Sequence, residues 1–258
     1  MSKETAIIAD VQRCTTKDGP GLRTTVFFKG CPLRCAWCHN PECIDQDPQT
    51  LSYPEKCVGC GLCHLGCYSG AKVTCGKSMS ASHLLDEILQ DRAYYENGGG
   101  VTFSGGEPLL QRDFLSNIID LCHENGIHCA IETSLCIFDE EVLQKIDLIM
   151  ADLKIFDSDL HKQYTGVSNE KIKKNFIKAN ALGVPIIART PVIPEIHQEI
   201  DQISDFLKGL SNVKEYELLP YHPLGEDKRS ALGLGLPYNF TVPTKEFMKE
   251  LEKYVFIR

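Results

Sequence analysis

The sequence predicts an α/β fold: a partial (β/α)6 barrel of the TIM type, with a small cysteine-rich insertion after its first strand. Three observations lead there. Short apolar runs alternate with amphipathic segments of helical period. One crossover is far too long and is crowded with cysteines. The residues just after each apolar run are polar, cysteine or glycine.

The runs are TTVFF (24–28), VTF (101–103), HCAIE (128–132), LIMADL (148–153), PIIART (185–190) and EYELLP (215–220). Each is short, most are rich in β-branched residues, and turn formers bound them, as strands require. Between them, SASHLLDEILQDRAYYE opens with Ser80 as a helix N-cap, and QRDFLSNIIDLCHENG stops at Gly126. Further helices are expected over 139–145, 169–182, 198–210 and 245–254. Strand–helix repetition gives parallel strands, and six units fall short of a closed eightfold barrel. Residues 43–79, rich in Cys, Gly and Pro with weak periodicity, read as an inserted module, leaving 1–42 and 80–258 as the barrel domain.

In parallel α/β folds chemistry gathers at the C-terminal ends of the strands. Those ends deliver the Cys31/Cys35/Cys38 loop, Ser104-Gly105-Gly106-Glu107, Glu132-Thr133-Ser134, Asp152-Leu153-Lys154, Arg189 and Tyr221-His222. All six strands therefore supply one rim.

The apolar fraction of 43% is that of a globular protein, and a net charge of −8 argues against a nucleic-acid backbone as partner. The stretch MSKETAIIAD has no long apolar run, and no segment is long enough to span a bilayer, so a cytoplasmic location is expected. Thirteen cysteines, most of them between Cys31 and Cys75, then point to metal or redox chemistry rather than disulfides.

The stretch GCPLRCAWCHNPE spaces Cys31, Cys35 and Cys38 as C-x3-C-x2-C. Closed metal sites usually have four protein ligands. A Cys3His zinc site would need His39, which directly follows Cys38, and adjacent side chains seldom reach one metal. A cubane cluster with one open iron fits the spacing better. In the insertion, KCVGCGLCHLGC sets Cys57, Cys60, Cys63 and Cys67 at the bacterial ferredoxin spacing. It predicts one auxiliary [4Fe–4S] cluster on Cys57, Cys60 and Cys63, with Cys67, Cys75 or Cys43 as fourth ligand; a zinc knuckle is the plainer alternative. Tyr68 stands where such runs usually carry proline. His64, His83, His123, His128, His161 and His197 show no ligand-like spacing, and Cys14, Cys122, Cys129 and Cys136 read as buried apolar residues.

The three-cysteine loop, with Trp37 before its last cysteine, resembles that of radical S-adenosylmethionine enzymes. The wider text is similar to the glycyl radical enzyme activating enzymes, of which the pyruvate formate-lyase activating enzyme is the best known. The matching stretches are DGPGLRTTVFFKGCPLRCAWCHNPE, GGGVTFSGGEPLLQ, the acid-Thr pair in AIETS, ADLK, YTGVSN and ELLPYH. They run in family order and cover nearly the whole chain outside 43–79.

The resemblance implies that S-adenosylmethionine chelates the open iron of a [4Fe–4S] cluster held by Cys31, Cys35 and Cys38. Asp152 and Lys154 would join these thiolates in catalysis. Cofactor contacts would come from Gly105, Gly106 and Glu107, from Glu132, Thr133 and Asp152, and from Lys154, Arg189, His222 and Trp37. A monovalent cation would sit among the carboxylates, where Glu132 replaces the aspartate of the best-known member. For Lys154 and Arg189, ion pairs with Asp152 or Glu132 are the plainer reading. Asp18, Gly19, Pro20 and Gly21 would hold the target peptide, although D-G and P-G also mark ordinary turns.

The implied activity is removal of a glycine Cα hydrogen in a partner glycyl radical enzyme by a 5′-deoxyadenosyl radical. A flavodoxin or ferredoxin would supply electrons to an otherwise monomeric activase. Activating enzymes with ferredoxin-like inserts commonly carry two complete cysteine runs, and this chain has one. The insert leans away from pyruvate formate-lyase and toward a dehydratase, decarboxylase or C–X lyase as partner. Two other functions compete: radical chemistry on a small molecule, and electron carriage by two closed clusters.

Overall fold

The computed structural model describes residues 4–236 and 238–258. Its strands are β1 (Thr5–Thr15), β2 (Arg23–Phe28), β3 (Gln49–Ser52), β4 (Lys72–Cys75), β5 (Lys77–Ser80), β6 (Gly100–Gly105), β7 (His128–Thr133), β8 (Leu148–Asp152), β9 (Ile186–Val192), β10 (Val213–Pro220) and β11 (Phe256–Ile257). The helices are α1 (Ala81–Leu89), α2 (Arg112–Glu124), α3 (Glu140–Lys145), α4 (Ser158–Thr165), α5 (Glu170–Ala181), α6 (Ile200–Lys208), α7 (Glu226–Ala231) and α8 (Lys245–Leu251).

Nine strands form one sheet in the order β11-β10-β9-β8-β7-β6-β2-β1-β5, and β3 pairs with β4 alone. The six expected strands are β2 and β6 to β10, all mutually parallel and laid down in sequence order. The sheet is nevertheless mixed, because β1, β5 and β11 pair antiparallel at its two ends. Residues 43–79 accordingly follow the second strand of the chain, not the first. β1 gives little signal in the sequence because only Ala6 and Ile8 of its first half are buried, and its second half is largely exposed. β11 has two residues, too few to carry a period.

Alternation along the parallel strands sorts their side chains. Val26, Phe28, Val101, Phe103, Ile131, Ile149, Ile186 and Val213 face the helices and build the main core with α1, α2, α5 and α6. The opposite face carries Thr25, Thr102 and Ser104, then Glu132, Asp152, Arg189 and Glu217. Beside them lies a small apolar cluster of Ala130, Leu148 and Met150, with Ile187 packed against it. The concave side is therefore a polar chamber rather than a filled barrel core.

The helix signals act as expected. The Ser80 hydroxyl accepts from the His83 amide at 3.2 Å. Beyond α2 the Gly126 and Ile127 amides donate to the His123 and Cys122 carbonyls at 2.9 and 3.0 Å, with Gly126 at φ +69°. This Schellman closure needs a left-handed residue, which glycine adopts without strain.

Within 43–79, the β3–β4 hairpin packs Leu51 and Cys75 against Ala231, and β5 belongs to the main sheet. Residues 53–71 form short 3-10 turns and loop.

Candidate active site at the strand ends

The three-thiol loop leaves the end of β2 and is gripped by backbone from several parts of the chain. The Gly30 amide donates to the Cys43 and Asp45 carbonyls, and Cys31 to Ile44, at 2.8, 3.1 and 2.9 Å. On the far side the Arg34 and Ala36 amides donate to the Thr165 and Tyr164 carbonyls at 2.7 and 2.9 Å. Those two carbonyls are presented by the last turn of α4, which Gly166 ends at φ +86°. The first residues of YTGVSN thus clamp the loop from outside.

The glycine pair after β6 presses against the same loop. A Cβ on Gly106 would lie 2.1 Å from the Gly30 carbonyl oxygen and 2.7 Å from that of Cys43. At Gly105 a Cβ would lie 2.5 Å from the Phe28 nitrogen. Real side chains never approach so closely, so these glycines are required by the protein's own packing, whatever else they touch. Ahead of α7, a Cβ on Gly225 would meet the Cys38 carbonyl at 2.2 Å.

Burial is the main force on the three thiols, and nearby Glu107 and the neighbouring thiols add to it. Cys31 and Cys35 are pushed up to about 12 and Cys38 to about 11. Alone they stay protonated, so they become thiolates only when a cation or cluster takes the place of their protons. A tetrahedral zinc, with Zn–S about 2.3 Å, would hold sulfurs about 3.8 Å apart. Among the described residues these sulfurs form no group with all members within 4.8 Å. The three soft donors fit an iron–sulfur cluster, which they would hold with one iron left without a protein ligand.

Below the loop the chamber is lined by paired charges. Glu132 accepts from the Ser104 hydroxyl and from Arg189 Nη1, each at 2.5 Å. Arg189 Nε reaches Glu217 at 3.0 Å. Burial pushes the Glu132 carboxyl up, against the pull of Arg189. Lys154 Nζ lies 2.5 Å from Asp152. Burial opposes its charge, but Asp152, Cys35 and Cys31 outweigh that, and its pKa is raised. Lys154 and Arg189 thus sit in the ion pairs that the plainer reading anticipated.

Glu107 and Thr133 meet each other. The fully buried Glu107 carboxylate accepts from the Thr133 hydroxyl at 2.8 Å and from the Ser134 hydroxyl and amide at 2.7 and 3.0 Å. Together they tie the loops after β6 and β7 into one wall. Trp37 packs against Tyr164 and Phe240, each with ring centroids 6.3 Å away, over Ile155, Ile193, Ile196 and Tyr221. His222 is exposed and meets the His39 ring edge-on at 4.5 Å. Burial, with Lys228 and His222, lowers His39 to about 4.

Asp18 lies against the middle of β2 and β6, while Pro20 and Gly21 are exposed, with Gly21 close against Gly99 just before β6. Asp18 Oδ2 accepts from Thr25 and its carbonyl from Thr102, both at 2.7 Å. Arg23, which the sequence did not single out, organises this region. Fully buried, it donates to Thr102 at 2.6 Å and to the Pro20, Gly98 and Val101 carbonyls at 3.1, 2.8 and 2.6 Å. Burial lowers its pKa to about 10. No carboxylate pairs with it directly among these contacts; only its position inside a strand motif, DGPGLRTT, marked it as unusual. Ser104 and Glu217 were also missed as partners, since register alone brings them to Glu132 and Arg189.

Within 43–79, Cys57, Cys60 and Cys63 are exposed and Cys67 is half-buried, whereas Cys43 and Cys75 are buried. Cys75 sits in the hairpin core with its sulfur facing the Ala9 and Glu42 carbonyls.

Residues 25–207 match the family model of the Radical SAM superfamily, and the chain belongs to that superfamily. Its curated relatives narrow the group. It is 39% identical to a (2S)-3-sulfopropanediol dehydratase activating enzyme of Klebsiella oxytoca, over 95% of this chain and 92% of that protein. It is 37% identical to a trans-4-hydroxy-L-proline dehydratase activating enzyme of Clostridioides difficile, over 86% of each. A solved domain of a pyruvate-formate lyase-activating enzyme from Bacteroides vulgatus superposes with TM-score 0.51 at 33% identity, covering 61% of this chain and 92% of that one. The chain groups with the activating enzymes of glycyl radical enzymes.

Proposed function

We propose that this protein is an activase that generates a glycyl radical in a partner enzyme of the dehydratase, decarboxylase or C–X lyase kind. The observation that carries this reading is the three-thiol loop clamped above a chamber of paired charges. A [4Fe–4S] cluster on Cys31, Cys35 and Cys38 would supply the single electron that cleaves S-adenosylmethionine to methionine and the 5′-deoxyadenosyl radical, which takes the glycine hydrogen.

The protein's own residues bind and orient. Gly105 and Gly106, without side chains, would let the cofactor approach the backbone of this loop, although the Gly106 amide already donates to the Phe28 carbonyl at 2.9 Å. Asp152 and Lys154 would face the methionine end of the cofactor, Arg189 and Glu132 would set the chamber's charge, and Trp37 and His222 would flank the adenosyl side. A monovalent cation would offset the excess of carboxylates there. Asp18 to Gly21 would steady the target peptide where it enters the chamber.

The exposed Cys57, Cys60 and Cys63 would hold an auxiliary cluster. Cys67 is the favoured fourth ligand, since Cys43 and Cys75 are already enclosed elsewhere. A flavodoxin or ferredoxin would reduce the protein in the cytoplasm. Among the described residues no helix is long and apolar enough to cross a membrane.

The test is 5′-deoxyadenosine formation by iron-reconstituted protein given dithionite and S-adenosylmethionine under anaerobic conditions. Product without partner, and an organic radical signal on the partner when one is added, is expected. No product at full iron content would reject the reading and favour a simple electron carrier.

A further inference from the structure

At the opposite end of the sheet, three side chains converge that no sequence spacing linked. His123 lies in the last turn of α2, Cys129 is the second residue of β7, and Asp147 immediately precedes β8. A nitrogen of His123, the Cys129 sulfur and an Asp147 oxygen all lie within 4.8 Å of one another. We propose that His123, Cys129 and Asp147 form a binding site for a divalent transition metal of the zinc class, with its fourth position open to water.

The local backbone builds this arrangement. The Schellman turn at Gly126 returns the chain straight into β7, placing Cys129 beneath His123. The Asp147 amide donates to the Cys129 carbonyl at 2.9 Å, and the Cys129 amide donates to Asp147 Oδ2 at 2.7 Å. The carboxylate is thus fixed from behind, as metal-binding carboxylates commonly are. His123 Nε2 sits 3.0 Å from the same oxygen. A tetrahedral zinc, with bonds of about 2.0–2.2 Å to nitrogen and oxygen, needs such ligands about 3.3 Å apart. A small outward shift would admit the ion.

Without an ion the Cys129 thiol lies in the core and donates to the Ile127 carbonyl at 3.6 Å, yet its sulfur is close enough to both members of the surface His–Asp pair to add a third donor. Imidazole, thiolate and carboxylate together select a borderline-soft ion over calcium or magnesium. His123 and Asp147 are 38% and 39% exposed, so an ion can enter, while the Cys129 side chain is fully buried. On binding, the sulfur–hydrogen bond is replaced by a sulfur–metal bond and one proton leaves to solvent. Cys122 is adjacent in sequence to His123 and is not counted as a ligand. The bound ion would staple α2, β7 and β8 together at the end of the sheet farthest from the three-thiol loop.

The experiment uses the full chain with its clusters reconstituted under anaerobic conditions. Zn2+ is titrated in competition with a chromophoric chelator, for the parent and for His123→Ala and Asp147→Asn, which alter exposed positions. The parent is expected to take up one zinc more than either variant, or to hold it at least tenfold more tightly. Its thermal midpoint should rise with Zn2+ while theirs does not. A zinc-soaked crystal should show anomalous density between the three side chains. Equal zinc stoichiometry and affinity in all three proteins, or anomalous density only at other cysteines, would overturn the proposal.

Discussion

The loop bearing Cys31, Cys35 and Cys38 is held by backbone from four distant stretches, whereas the run from Cys57 to Cys67 stands in solvent. In the first, a Cβ on Gly106 would collide with two carbonyls; in the second, Gly59, Gly61 and Gly66 have nothing within 4 Å. Around the second run Val58 is 62%, Leu65 75% and Tyr68 90% exposed. Both carry cysteines at cluster spacing, yet only one is shaped before any metal arrives. Spacing reports which metal chemistry is available, while packing reports whether the protein or the metal sets the geometry.

The largest expected difference is in activity. Cys35→Ala should abolish 5′-deoxyadenosine formation, while Cys60→Ala should leave the partner-free rate within about tenfold of the parent, on the scale typical of losses outside a metal's own ligands. Equal loss in both would mean the two regions act as one unit.

A stability pair tests the packing directly. Gly106→Ala should cost on the order of 3 kcal/mol, since neither facing carbonyl can move freely. Gly61→Ala, at φ +73° in open space, should cost about 1 kcal/mol from backbone strain alone. Denaturant midpoints of the two variants measure both.

A pH effect belongs to the first region. His161 in α4 supports the clamp: it is fully buried, its Nδ1 lies 2.7 Å from the Val167 carbonyl, and Nε2 has no hydrogen-bond partner among the described residues. Burial, the largest influence, lowers it from 6.5 to about 4. The unfolded chain therefore takes up a proton first as the pH falls. Stability contributed by the neutral ring is full above pH 6.5 and lost progressively down through about 4. Across the whole window that is on the order of 3 kcal/mol. His161→Asn should flatten this part of the stability–pH curve, and an unchanged slope would assign it to other groups.

The smallest effect is in dynamics. Removing iron should raise amide exchange across 57–67 while leaving residues 30–38 near their metal-bound protection. Matching increases in both would erase the contrast.

Much of this was readable from the chain. Six parallel strands announced themselves because β-branched runs ended at turn formers, and the C-x3-C-x2-C loop because its ligands are local in sequence. What the sequence hid comes from register and returning chain. Ser104 meets Glu132, and Arg189 meets Glu217, only because neighbouring strands align them. The end strands β1, β5 and β11 bury too little on a single face to show a period. His123, Cys129 and Asp147 come from a helix, a strand and a loop, so no spacing rule could join them.

The clamp on the three-thiol loop also bears on biosynthesis. Its pieces are residues 43–45, the glycines after β6, the carbonyls of Tyr164 and Thr165, and Gly225 against Cys38. A ribosome that has just delivered Cys38 has still to make the segments that carry Tyr164, Thr165 and Gly225. The seat for the cluster is thus complete only after Gly225 has emerged, and assembly machinery that delivers iron and sulfur meets a chain with all six parallel strands already made rather than a nascent motif.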